Sequence, residues 1–185
     1  MRVRFTKTDS RRYSVSINRE HGPPLLPRTG PGNDDLLPHD IGHWVVEEHF
    51  GLSLGVWGQL AAGGGGIFWP APEDNTGRHK QLVRRLQAVG RADMGRSEQL
   101  TAVVVHAWEL SIGRVKHQAR PFDVGLSPDE LRAAVARMDA TSQRWQALKR
   151  GSSMTCTWPV QLTVDPSGSR LGRRTTRESE RLARR

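Results

Sequence analysis

Apolar and polar residues alternate twice near the start of the chain, in Arg2-Val3-Arg4-Phe5-Thr6-Lys7 and in Tyr13-Ser14-Val15-Ser16-Ile17-Asn18, with the polar Thr8-Asp9-Ser10-Arg11 between. A period of two is that of a half-buried strand. The two runs therefore predict a β-hairpin with Val3, Phe5, Tyr13, Val15 and Ile17 covered, and with Arg2, Arg4, Arg12 and Arg19 at or near the other face. The alternation returns in Met154-Thr155-Cys156-Thr157-Trp158 and in Val160-Gln161-Leu162-Thr163-Val164, on either side of Pro159. Proline confines a strand to an edge or a bulge, and a hairpin needs a further strand or a helix to be stable. This C-terminal segment is the natural third strand.

Between these ends the period changes to that of a helix. Residues 22–33 hold four prolines and three glycines and read as an irregular crossing loop. Asp34 and Asp35 then offer capping and favourable charge to a helix starting near Leu36 or Pro38 and running to Phe50, with Gly51 as its stop. A short apolar helix is expected over residues 53–62, broken by the four glycines at 63–66. Residues 78–89 place Leu82, Val83, Leu86 and Val89 on one side. A further helix is expected from Ser97, with Leu100, Val103, Val104, Ala107, Trp108 and Ile112 inward. Ser127-Pro128-Asp129-Glu130 combines an N-cap serine, a first-turn proline and a capping-box glutamate. The helix it opens buries Leu131, Val135, Met138, Trp145 and Leu148 and is expected to end at Gly151. The pattern as a whole predicts an α+β fold: a small antiparallel sheet, made of the N-terminal hairpin plus a C-terminal strand, packed on four or five helices.

The chain of 185 residues suits one domain, taken here as residues 1–165. Residues 166–185 carry seven arginines and two glutamates, a net +5, so residues 1–165 hold the remaining +4 of the chain's +9. That segment has almost no apolar residues, and a disordered basic tail is expected, able at most to make weak, salt-dependent contact with nucleic acid. The single cysteine, Cys156, excludes an intrachain disulfide and a cysteine-based zinc module, and suits a reducing cytoplasm. No apolar run approaches the ~20 residues of a membrane span, and the basic N-terminus lacks the apolar core of a signal peptide. A cytoplasmic protein without membrane contact is the expectation.

Candidate chemistry concentrates in Pro38-His39-Asp40-Ile41-Gly42-His43-Trp44-Val45-Val46-Glu47-Glu48-His49. At about 100° per residue, with His39 at 0°, His43 falls near 40°, Glu47 near 80° and Asp40 near 100°. One arc is therefore polar, while Leu37, Ile41, Trp44 and Val45 oppose it and Val46 and Phe50 come close to its own side. A helix apolar nearly all round seldom carries such groups without pairing them. Three readings stay open: a metal or acid–base site, a structural polar network, and a solvated face. In the first, His39 and His43 hold a divalent ion, zinc by ligand type, with Asp40 or Glu47 as base. Asp40 could instead fix a histidine tautomer. Glu47 lies about 12 Å along the axis from His39, a poor ligand beside it but well placed to bond His43. The third ligand then comes from elsewhere, with His106 and Glu109 as candidates on the later helix and His117, His21 and Gln59 behind them.

The pair at i, i+4 resembles the His-Glu-x-x-His zinc helix, with Asp40 in place of the glutamate. It also resembles the His-Asp-x-x-His-x11-Glu signature of coenzyme Q biosynthesis scaffold-type proteins, but Gly55 stands where the glutamate would be. Adjacent His39-Asp40 is similar to the start of an HD-phosphohydrolase motif as well. More broadly, Arg2-Val3-Arg4-Phe5-Thr6-Lys7-Thr8, Leu37-Pro38-His39-Asp40-x-x-His43 and Gly58-Gln59-Leu60-Ala61-Ala62-Gly63-Gly64 resemble an uncharacterised protein family of mainly actinobacterial type, a resemblance that implies no activity.

The remaining signals are plainer. The glycines at 63–66 lack the ending of a phosphate loop and read as a flexible connection. Trp44, Trp108, Trp145 and Trp158 fall on apolar faces, whereas Trp57 and Trp69 flank the glycines and are candidates for a pocket mouth. Arg84, Arg85, Arg132 and Arg137 read as solvated helix faces, and Cys156 has no base near it in sequence. Two functions follow. One is a small zinc-dependent hydrolase or lyase acting on a small-molecule or peptide substrate. The other is a non-enzymatic module that contacts nucleic acid or an acidic partner through the basic hairpin face and the arginine-rich tail.

Overall fold

The computed structural model describes residues 1–9, 11–30, 36–114 and 123–165. Its sheet has four strands in the order β3-β2-β1-β4, all antiparallel. The hairpin forms as the alternation requires: β1 (Arg2–Lys7) and β2 (Tyr13–Asn18) pair with Phe5 opposite Val15. Val3, Phe5, Tyr13 and Val15 are buried. β4 (Ser153–Thr157) adds to the free side of β1, with Val3 opposite Cys156. The strand expected beyond Pro159 does not form. Val160–Leu162 is a single 3-10 turn, and the last bond to β1 on this side runs from the Trp158 amide to Met1 O. On the other flank the two-residue β3 (Arg28–Thr29) joins β2, inside a stretch whose prolines and glycines had suggested only a loop.

The described residues form five helices, and all but the third share one core with the sheet's apolar face. They are α1 (His39–Phe50), α2 (Val56–Ala61), α3 (Gly77–Val89), α4 (Arg91–Ser111) and α5 (Pro128–Gln146). Gly51 ends α1 in the left-handed region, at φ 68°, where its amide bonds Glu47 O. α5 opens with the expected capping box of Ser127 and Glu130, but stops at Gln146. Gly151 instead turns the chain into β4 at φ 82°, its amide bonding Lys7 O. α4 begins at Arg91, six residues before Ser97, so Ser97 lies inside the helix and not at its cap. Asp34, Asp35, His117 and the arginine-rich segment 166–185 lie outside the described residues.

α1 is the central helix. It packs on α2, α4 and α5, and every residue from Asp40 to Glu47 is buried. Its sheet side meets an aromatic cluster: Trp44 stands edge-on to Trp57 and Trp158, both at 5.3 Å, and Trp57 is edge-on to Phe5 at 5.6 Å. Each such pair adds about 0.5–1.5 kcal/mol beyond the area it buries. Trp57 is therefore core, at 1% exposure, while Trp69 is 63% exposed. α3 differs from the rest: it packs lightly on α4 and buries only His79 and Leu86.

Candidate functional site

The helix geometry of α1 separates its polar residues into two environments. Asp40 turns toward the sheet, where its Oδ2 accepts from Arg28 Nη2 at 2.7 Å. The guanidinium of Arg28 in turn lies over the Phe68 ring, 4.7 Å from its centre. The neighbouring Tyr13 hydroxyl is pushed well above its usual range, first by burial and then by the Asp40 charge. Asp40 thus ties the start of α1 to β3, and it reaches His43 only through its charge, as the smallest of the influences on that imidazole.

His39 and His43 face α4. Gly42 lies between them, where a Cβ would make only ordinary contact with Thr101 and Val105 of α4, both at 3.7 Å. The two imidazoles meet edge to face with their Nε2 atoms 3.2 Å apart. His39 is exposed and His43 is buried. The other nitrogen of His43, Nδ1, lies 3.0 Å from Ser97 Oγ, with Thr101 Oγ1 at 3.3 Å. Ser97 Oγ donates to Glu47 Oε1 at 2.7 Å. The carboxylate also accepts from two amides at the start of α2, Val56 N at 2.8 Å and Trp57 N at 2.9 Å. A four-membered chain, His39–His43–Ser97–Glu47, therefore runs from the surface to a fully buried acid.

Electrostatics assigns the protons along it. Burial pushes Glu47 up to about 7, although its bonds from Ser97, Trp57 and Val56 pull the other way. His43 is lowered by burial and by His39, so it is neutral at neutral pH. With Glu47 ionised, the Ser97 hydrogen is committed to the carboxylate, and His43 must donate from Nδ1. That assignment follows from the bonding network and leaves the Nε2 lone pair of His43 aimed at His39. A carboxylate of α4, Glu98 Oε2, stands 3.8 Å from the same Nε2, with its side chain 65% exposed.

Asp40 and Glu47, the expected catalytic acids, do not share a site. Glu47 reaches His43 through Ser97, not directly, and touches no solvent. His106 and Glu109 lie five and eight residues beyond Thr101 on α4, about 7.5 and 12 Å further along its axis. The α4 residues that meet the histidines are instead Ser97, Glu98 and Thr101. Gln59 donates to Leu54 O at 2.9 Å, and His21 lies against Gly63. Among the described residues no three histidine, cysteine or acidic side chains close on one point as they stand. His39 Nε2 and Glu98 Oε2 both stand beside His43 Nε2, at 3.2 and 3.8 Å. Gly55, where one resemblance would want glutamate, has a local reason to be glycine: a Cβ there would collide with the Glu47 carboxyl.

Comparison of the chain with protein-family models, with curated proteins and with solved structures gives no match.

Proposed function

We propose that the protein is a small metal-dependent hydrolase or lyase in which His39 and His43 hold a divalent ion of zinc type and Glu98 supplies a third ligand. The observation that carries this reading is the 3.2 Å between the two Nε2 atoms. Two nitrogens each about 2.0–2.1 Å from zinc at a tetrahedral angle stand about 3.3–3.4 Å apart. Hydrogen-bonding the far nitrogen of a ligating histidine is the usual means of fixing its tautomer and raising its basicity. Here Ser97 and Glu47 hold the His43 proton on Nδ1. Glu98, mostly exposed, needs only side-chain rotation to join. An ion so placed supplies a water of lowered pKa or a polarised carbonyl.

The chain's own contribution is orientation and proton storage. His39 and His43 present lone pairs, and Ser97 relays charge between His43 Nδ1 and Glu47 Oε1. Glu47, poised near neutrality, takes up or gives back a proton as the charge on His43 changes. It is a positioning residue rather than a base in contact with substrate. Metal analysis after dialysis against zinc tests the reading. About one ion per chain is expected, lost in His39→Ala and His43→Ala, weakened about 10-fold in Glu98→Ala and kept in His106→Ala and Glu109→Ala. A wild-type chain without stoichiometric metal, or ion retained in both His39→Ala and His43→Ala, ends it.

A second reading rests on the sheet's outer face. In its centre stand Arg2, Arg4 and Thr6, flanked by Asn18, Ser16 and Ser14 on β2 and by Thr157, Thr155 and Ser153 on β4. These positions hold two arginines and no carboxylate, which favours nucleic-acid phosphates or another acidic partner, together with the arginines of 166–185. Filter binding across a salt series tests it. Binding unchanged in an Arg2→Ser, Arg4→Ser double variant would remove the sheet face, and binding lost on deleting 166–185 would confine the activity to the tail.

A further inference from the structure

Arg84 and Arg85 of α3, read from sequence as a solvated face, line a cleft of about 980 Å³ together with Arg78. Arg78, Leu82 and Arg85 recur at helical spacing along one side of it, and Arg84 lines it as well. Against these three arginines stands one acid, Asp74. The facing wall is Gly22 and Pro23, and it is held in place. Arg19 donates to Pro23 O at 3.0 and 2.7 Å, to Leu60 O at 3.2 Å and to Gly64 O. Burial lowers Arg19 to about 10, which leaves it charged at neutral pH. Gly22 sits at φ +76° with its backbone against Gly63, where a Cβ would come within 2.6 Å of the carbonyl oxygen. The cleft is thus preformed by backbone contact and does not wait on loop closure.

His79 supplies a second and independent pointer. It lines the same cleft, is 6% exposed, and its buried Nδ1 has no hydrogen-bond partner. A buried unpaired imidazole nitrogen is costly and stands out here beside the glycines at 64 and 65, which pack against Leu86, Val83 and His79. The volume lies at the upper end of small-molecule sites and far exceeds one phosphate group. Leu82 and Pro23 offer apolar wall beyond the charged rim. Arginine forks match the oxygens of phosphate bidentately, and the first turns of α3 add the positive end of a helix. We propose that this cleft binds a small phosphomonoester, its phosphate on Arg78 and Arg85 and its body along Leu82 and Pro23. The site is independent of the histidine pair.

Calorimetric titration of the full chain with phenyl phosphate, inorganic phosphate and an unphosphorylated single-stranded oligonucleotide tests this. Saturable one-to-one binding of phenyl phosphate is expected, tighter than inorganic phosphate by about 5-fold or more for the apolar body. Arg78→Glu and Arg85→Glu should each weaken it about 10-fold or more without altering the circular dichroism spectrum, since both side chains are exposed. Amide shifts on titration should gather at Gly22 and residues 76–85. No saturable binding of phenyl phosphate, equal binding in both arginine variants, or binding of the oligonucleotide alone would each overturn the proposal.

Discussion

The seam between α1 and α4 and the cleft beside α3 are both polar, and they are built in opposite ways. In the seam every group has a partner: Glu47 takes three donors, Ser97 bridges, and His43 uses both nitrogens. In the cleft the charges stand in a row on an exposed helix, and one histidine nitrogen is left unpaired. The difference is one of location. A polar group inside the helical core costs several kcal/mol unless paired, so the seam tolerates no loose member. A helix that buries only His79 and Leu86 can carry unpaired arginines at almost no cost. The seam should therefore answer to mutation in stability and in ion binding together, and the cleft in ligand binding alone.

The largest expected effect breaks the seam outright. Glu47→Ala leaves the Ser97 hydroxyl and the Val56 and Trp57 amides without their acceptor and should cost about 3–5 kcal/mol in urea denaturation. Arg85→Ala in the cleft should stay within about 0.5 kcal/mol by the same measurement. Similar losses in the two variants would erase the distinction. Glu47→Gln asks the sharper question. Its amide oxygen keeps the Ser97 and Val56 bonds at the Oε1 position, while its NH2 group faces the Trp57 amide, donor against donor. The His43 tautomer should therefore hold, and zinc affinity by competition titration should fall by less than about 10-fold, in step with the stability loss.

The pH dependence separates Glu47 from His43. Burial lifts Glu47 from its ordinary 4.5 to about 7. Between those values the folded chain keeps a proton that the unfolded chain has lost. The stability from this group is present in full below about 4.5 and is lost as pH rises to about 7, by roughly 3 kcal/mol. His43 acts in the other sense: lowered by burial, it contributes fully above 6.5 and loses that contribution as pH falls. Wild type measured against Glu47→Gln at pH 4.5, 5.5 and 7 should therefore lose its relative advantage as pH rises. A difference that is flat with pH would mean that Glu47 is ionised throughout.

Gly55 and Asp40 refine the boundary of the seam. Gly55→Ala drives a Cβ into the Glu47 carboxyl and should cost about 1–3 kcal/mol while weakening zinc through the displaced acid. Asp40→Asn removes the charge opposite Arg28, whose side chain is 23% exposed, and should cost about 1 kcal/mol. Its zinc affinity should stay within about 3-fold of wild type. A large loss of zinc in Asp40→Asn would return that aspartate to the site.

What could be read from the sequence was what local pattern decides. The hairpin followed from alternation, the end of α1 from Gly51, the start of α5 from its capping box, and the buried character of α1 from apolar residues on all sides. The errors share a cause. Ser97 has the chemistry of a cap, and only the packing of α4 on α1 makes it an interior relay. Asp40 and Glu47 fall within about 20° on the helical wheel, yet tertiary neighbours send one to Arg28 and the other to Ser97. Glu98 carried no signal, since an acid on a helix surface is ordinary until a histidine is found beside it. Ser97 and Thr101, polar at a spacing of four amid Leu100 and Val104, were the trace available.

The smallest expected effect marks where the seam has room. Gly42 sits in the interior of α1 between the two histidines, a position where glycine costs a helix about 0.5–1 kcal/mol relative to alanine. A Cβ there would meet only the methyl groups of Thr101 and Val105, both at 3.7 Å, an ordinary contact. Gly42→Ala should therefore leave the α1–α4 spacing unchanged and raise stability by up to about 1 kcal/mol. Zinc affinity should not change, because the His43 bonds to Ser97 and His39 are untouched. If alanine instead destabilises the chain, α4 lies closer to α1 than these distances place it. Thr101 would then be pressed onto His43 Nδ1 more tightly than 3.3 Å, and the assignment of the His43 proton to Ser97 would pass to Thr101.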